Sequence, residues 1–201
     1  MELVVLKPHD PLLRTICQPI LKKDLRKTSV QLEIEAMIDY VYGNNNKGKS
    51  RDRASTMTVG LSANQVGINK RISIVDLAIG RKGYSDLYVL INPEIIWASQ
   101  TTVENCEGCV NLPTIWGYVK RSKKVKVKAL DRSGNELILT LNGWSAILLQ
   151  HEIDHLNGKL FINHLDDPKK AHHVEKNDYR KYKTQKKLWK KYIDVTDLIN
   201  S

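Results

Sequence analysis

Two histidines four residues apart with a glutamate beside the first, in His151-Glu152-Ile153-Asp154-His155, constrain this chain more than any other feature. On an α-helix, residues i and i+4 share one face, so both imidazoles reach a common point and the glutamate stays next to it. The motif therefore asks for a helix. Its flanks supply one, from about Gly143 to Asn157, with Trp144, Ile147 and Leu148 on one side and Gly158 as the stop.

Two imidazoles do not complete a catalytic site for a divalent ion, which takes three protein ligands and keeps a fourth position for water. A third histidine six residues beyond the second would fall where the chain has Phe161, which offers no lone pair. A downstream carboxylate such as Glu175 would come from a strongly basic segment. Upstream, Cys106-Glu107-Gly108-Cys109 offers thiolates, which suit zinc or ferrous iron. Two readings stay open on these residues: one cysteine with both histidines and an open position, or both cysteines in a closed structural site. The 41 residues between the pairs favour the first, and so does Glu152, for which a closed site has no work. A redox role for the two cysteines is weaker, since no helix pattern begins there.

A chain of 201 residues suits one domain. No apolar run is long enough to span a bilayer, and Met1-Glu2-Leu3-Val4-Val5-Leu6-Lys7-Pro8 lacks the charged and apolar regions of a signal peptide. A cytoplasmic protein with no membrane partner is expected. Three cysteines are an odd number in a chain that needs no staple, so reduced thiols are expected. The net charge of +10 points to nucleic acid until it is located. Ten Lys/Arg and two Asp/Glu fall between Lys169 and Lys191, so the basicity belongs to a tail.

Val30, Ile34, Met37 and Val41 are spaced for an N-terminal amphipathic helix, with Thr28 and Gln31 as a capping box and Gly43 as its stop. Residues 43–58, rich in Asn, Gly, Lys and Ser, read as an exposed loop. From Arg71 to Leu141 the texture is β-rich: RISIVDLA, LYVLI ended by Asn92-Pro93, and VKVKAL and NELILTL joined by a DRSG turn. Val174, Tyr182, Trp189 and Ile193 form an approximate stripe that predicts a C-terminal helix over 173–193. The order predicts an α+β fold, with antiparallel sheets packed around the central metal-binding helix and a further helix at each end. Residues 1–168 are expected to form the catalytic domain, with 169–201 as a basic helix or tail of the same unit whose removal is expected to spare activity.

Three separated motifs together resemble the peptide deformylases: Gly60-Leu61-Ser62-Ala63-Asn64-Gln65, Glu107-Gly108-Cys109, and Gln150-His151-Glu152 continuing to Asp154-His155. The resemblance spans roughly residues 1 to 165 and leaves the tail unmatched. It departs at Thr58, where a glycine is usual, at Ser62, where the family has alanine, and at Val110-Asn111 in place of Leu-Ser. It implies hydrolysis of the N-terminal formyl group of formyl-methionyl chains, with release of formate. The implied metal ligands are Cys109, His151 and His155, holding ferrous iron with Zn2+, Ni2+ or Co2+ able to substitute. Glu152 is the implied general acid/base, and Gln65 and the backbone N–H of Val110 the implied oxyanion donors. Val59, Gly60, Trp144, Ile147 and Leu148 are expected to line a methionine pocket, and Glu107 with Arg121 to brace the cysteine loop. The tail, with Tyr179, Tyr182 and Trp189 among its lysines, is a candidate for contact with the ribosome.

Overall fold

The computed structural model describes residues 2–42, 59–78 and 86–200, so Gly43, Thr58 and the 43–58 loop lie outside the described residues. In chain order the elements are α1 (Thr28–Tyr42), β1 (Gly60–Ser62), β2 (Ile72–Asp76), β3 (Leu87–Ala98), β4 (Thr102–Cys109), β5 (Leu112–Ser122), β6 (Lys124–Leu130) and β7 (Glu136–Asn142). There follow α2 (Gly143–Leu156), β8 (Ala171–His173), α3 (Tyr179–Gln185), β9 (Tyr192–Ile193) and α4 (Thr196–Asn200). One sheet has the order β1-β2-β3-β6-β7 and the other β4-β5-β8-β9, with neighbouring strands antiparallel.

Strict alternation makes β6 legible: Val125, Val127 and Ala129 are buried while the lysines between them face water. Asp131 closes the following turn by accepting from the backbone N–H groups of Ser133 and Asn135. Against expectation, β3 does not stop at Asn92-Pro93 but runs on to Ala98. A register shift between Ile91 and Glu94 accommodates the proline, which cannot donate to the ladder. Asn92 takes a φ of 51° there, and its side chain bonds the N–H and C=O of Ile20 at 2.9 and 2.8 Å.

Val30, Ile34, Met37 and Val41 carry α1 onto β1 and β2 as their spacing predicts. The capping box does not form, because Gln31 spends its amide on the Leu25 carbonyl and accepts from Arg132 instead. The helix α2 lies against the large sheet, with Ala146, Leu149 and Ile153 buried among Val75, Leu90, Val125 and Val127. Its Gln150 grips Ser122 at the end of β5, accepting from the Ser122 N–H and donating to its carbonyl. Gly158 ends α2 at a φ of +70°, and a Cβ there would lie 2.4 Å from the Arg14 carbonyl oxygen.

The expected C-terminal helix is present but confined to Tyr179–Gln185. Flanking residues are strand instead: β8 pairs with β5 and β9 with β8. Val174, Tyr182 and Trp189 are buried against Cys106, Trp116 and Tyr179. The segment is thus a built part of the smaller sheet, and the expectation that it is dispensable gives way. A stripe spaced by eight, seven and four residues fits short strands and turns as well as one helix.

Candidate active site

Cys109 ends β4, His151 and His155 stand on the inner face of α2, and their ligating atoms lie within 4.8 Å of one another. His155 Nε2 is 3.4 Å from Cys109 Sγ and 3.2 Å from His151 Nε2. Nitrogens and sulfur bound tetrahedrally to one ion at ordinary zinc-type bond lengths would be separated by about 3.3 Å (N to N) and about 3.5 Å (N to S). Two imidazole lone pairs facing at that distance share at most one proton, whereas a cation satisfies both. The donor set fits a divalent ion.

Alternation along β4 decides between the two cysteines. Three residues apart on a strand, they point to opposite faces, so only one joins the histidines. Cys106 turns instead to Tyr182, with 2.9 Å between Sγ and the phenolic oxygen. The closed four-ligand arrangement is therefore not the one formed. Glu175 pairs with His173 at the surface, and Phe161 is buried with its ring stacked over His151 at 6.3 Å.

Glu107 and Arg121 meet as a buried bidentate pair at 2.9 Å for both contacts. Glu107 Oε2 also accepts from His151 Nδ1 at 2.9 Å, which leaves His151 Nε2 with its lone pair toward the ligand cluster. Burial works against the Glu107 charge, but Arg121 and His151 outweigh it and hold its pKa down to about 2. Arg121 reaches on to Asp154, so one chain of charges ties β4 and β5 to α2. For His151, burial likewise opposes the charge, but Cys109 and Glu107 carry its pKa well up. His155 is pushed well down, by burial first and then by the charges of His151 and Arg121.

Glu152 is 3% exposed, and burial raises its pKa. It lies hard against Gly60, where a Cβ would sit 2.4 Å from Oε1. Only glycine leaves that carboxylate room. Gln65 is buried on the 3-10 turn after β1, with Oε1 accepting from the Ser62 N–H at 2.7 Å. That contact orients the amide, so Nε2 points to Cys109 Sγ at 3.3 Å and Asn111 Oδ1 at 3.0 Å. Val59, Gly60, Val110, Trp144, Ile147 and Leu148 all line one cleft of about 210 Å³, together with Cys109, His151 and Glu152.

Sequence reasoning left three of these neighbours without a role. Asn111 is 1% exposed and also donates to the carbonyls of Leu6 and Gln65. Ser62 contacts Glu152, and Asp154 anchors Arg121. The signal available for Ser62 and Asn111 was their departure from the family pattern; for Asp154 it was its place inside the histidine motif.

Comparison with known proteins agrees with this geometry. The family model for polypeptide deformylase matches residues 3–171. A peptide deformylase of Carboxydothermus hydrogenoformans is 39% identical over 163 residues, covering 81% of this chain and 93% of that protein. A solved peptide deformylase from Legionella pneumophila is 36% identical with a TM-score of 0.68, covering 83% of this chain and 87% of its own. The Met-Ala-Ser bound class I type b peptide deformylase of Acinetobacter baumannii is 31% identical with a TM-score of 0.68, covering 82% and 99%. With its ligand cluster, buried glutamate and cleft in one place, the chain belongs to the polypeptide deformylase family, metal-dependent hydrolases that remove the N-terminal formyl group from nascent polypeptides.

Proposed function

We propose that Cys109, His151 and His155 hold one divalent ion, ferrous iron in the cell, and that Glu152 moves the proton during deformylation of formyl-methionyl chains in the cytoplasm. Zn2+, Ni2+ or Co2+ can take the same ligands in a preparation. The observation that carries the reading is the convergence of one thiol and two imidazoles beside a buried carboxylate in a side-chain-sized cleft. An ion held by these ligands would lower the pKa of a bound water to about 7 and so supply a nucleophile at neutral pH.

Glu152 accepts the proton that the water gives up and returns it to the departing amine nitrogen. Its burial favours the protonated form, which makes its carboxylate the stronger acceptor for the proton of the water. Negative charge grows on the formyl oxygen, and the Gln65 amide and the Val110 N–H donate to it. Asn111 takes one Nε2 proton of Gln65, and the planar amide so fixed aims the other toward Cys109 Sγ and the cleft, where a formyl oxygen would lie. Val59, Gly60, Trp144, Ile147 and Leu148 take the methionine side chain, in keeping with the Met-Ala-Ser held by the Acinetobacter relative. Glu107 and Arg121 keep His151 and Cys109 in register.

Protein purified without oxygen is expected to release one formate per formyl-Met-Ala-Ser consumed, to stop after chelation and to resume with Fe2+. Turnover unaffected by complete metal removal would overturn the assignment.

The exposed basic segment supports a contact with ribosomal RNA, where nascent chains emerge. Nine of its ten Lys/Arg side chains are exposed, while Val174, Tyr182 and Trp189 face inward. Lys181→Gln, Lys183→Gln, Lys187→Gln and Lys190→Gln together are expected to reduce co-sedimentation with ribosomes at low salt and to flatten its salt dependence. Unchanged sedimentation would show the charge to be only solvated surface.

A further inference from the structure

The two oxygens of the Glu152 carboxylate have different neighbours. Oε1 lies beside Gly60, at the cleft. Oε2 lies 2.7 Å from Ser62 Oγ. The same hydroxyl is 2.8 Å from the Glu152 carbonyl oxygen and 2.9 Å from Ser73 Oγ, and both serines are fully buried. Ser62 and Ser73 face each other across the β1–β2 ladder, so the pairing register itself brings the hydroxyls together.

Proton counting orders this cluster. Ser62 has one hydroxyl proton and three acceptors around it. A carboxylate oxygen is the strongest acceptor of the three, so Ser62 donates to Oε2. Ser73, with no such charge beside it, gives its own proton to Ser62 Oγ. The result is a short donor chain, Ser73 to Ser62 to Glu152, inside the fold. Alanine, usual in the family at position 62, cannot form it.

We propose that Ser62 is a positioning residue for Glu152: it pins Oε2, so that Oε1 alone takes the proton from water and delivers it to the amine. Ser73 holds the Ser62 hydroxyl in the donating orientation. This rests on the reading of Glu152 as the general acid/base.

The test is a double-mutant cycle on the metal-loaded enzyme with formyl-Met-Ala-Ser, alongside an infrared measurement on the metal-free protein. Ser62→Ala is expected to lower kcat about tenfold, the worth of one hydrogen bond to a charged group, with KM within about twofold and metal per chain unchanged. Ser73→Ala is expected to lower kcat less, by about threefold, because Ser62 keeps its own proton. In a Glu152→Gln background, Ser62→Ala is expected to have no further effect on the residual rate. The carboxylate stretch that Glu152→Gln abolishes is expected to shift in metal-free Ser62→Ala. Where Ser62→Ala fails to fold, Ser62→Cys, a weaker donor of similar size, is expected to give an intermediate kcat. Parent-like kcat in the folded serine variants, an undiminished Ser62→Ala effect in the Glu152→Gln background, or an unshifted band would overturn the proposal. A Glu152→Gln protein that turns over like the parent would instead remove the reading of Glu152, and this inference with it.

Discussion

Glu152→Gln is expected to lower kcat by about 10²- to 10⁴-fold, the usual worth of positioned acid/base transfer, while metal per chain stays the same. The amide fits the same space beside Gly60 and still accepts from Ser62, so the geometry around the ligands persists. Stability is not expected to fall. Burial raises the Glu152 pKa above its unfolded value, so the charged form is disfavoured in the native state and weighs against folding above that unfolded value. A neutral amide removes that penalty. A melting temperature equal to or above that of the parent, with turnover nearly lost, separates proton transfer from coordination. Retained turnover, or loss of metal with the mutation, would count against the assignment.

Deletion of residues 169–201 is expected to abolish cooperative folding. It removes β8 and β9 from the smaller sheet, takes away the buried Val174, Tyr182, Trp189 and Val195, and strips Trp116 of its cover. Each such side chain is worth about 1.5–3 kcal/mol of burial, and a domain has only about 5–15 kcal/mol in all. The damage reaches the site, since Trp116 packs on Gly108, one residue before Cys109, and a Cβ at Gly108 would lie 2.7 Å from its ring. Thermal unfolding by circular dichroism is the check: no cooperative transition is expected, and a parent-like melting temperature with full activity would restore the view of the segment as an appendage. For this reason ribosome contact is better probed by charge-removing substitutions than by truncation.

Legibility in the sequence followed the kind of interaction. Helix α2 and strands β6 and β7 were readable because each buries an apolar face at its own period. The hairpin of β4 and β5 was not, since its inward residues include Glu107 and Arg121, whose burial depends on each other rather than on hydrophobicity. Polar residues are ordinarily exposed, so a buried ion pair leaves no pattern. The same holds for Ser62, Ser73 and Asn111, which look like loop or strand polar residues until the fold sets them against Glu152 and Gln65. Cys109, His151 and His155 were legible as a candidate set, but the choice between Cys106 and Cys109 needed the fold. Once the segment is known to be a strand, alternation lets only one of the two join the histidines, and the contact of Cys106 with Tyr182 settles which.

X-ray absorption at the metal edge of the anaerobically purified protein counts the sulfur ligands of the bound ion directly. One sulfur with nitrogen or oxygen donors is predicted for the parent, an unchanged spectrum for Cys106→Ser, and loss of the sulfur scatterer or of the metal itself for Cys109→Ser. Two sulfur ligands in the parent, or the same loss in both variants, would contradict the site built from Cys109, His151 and His155.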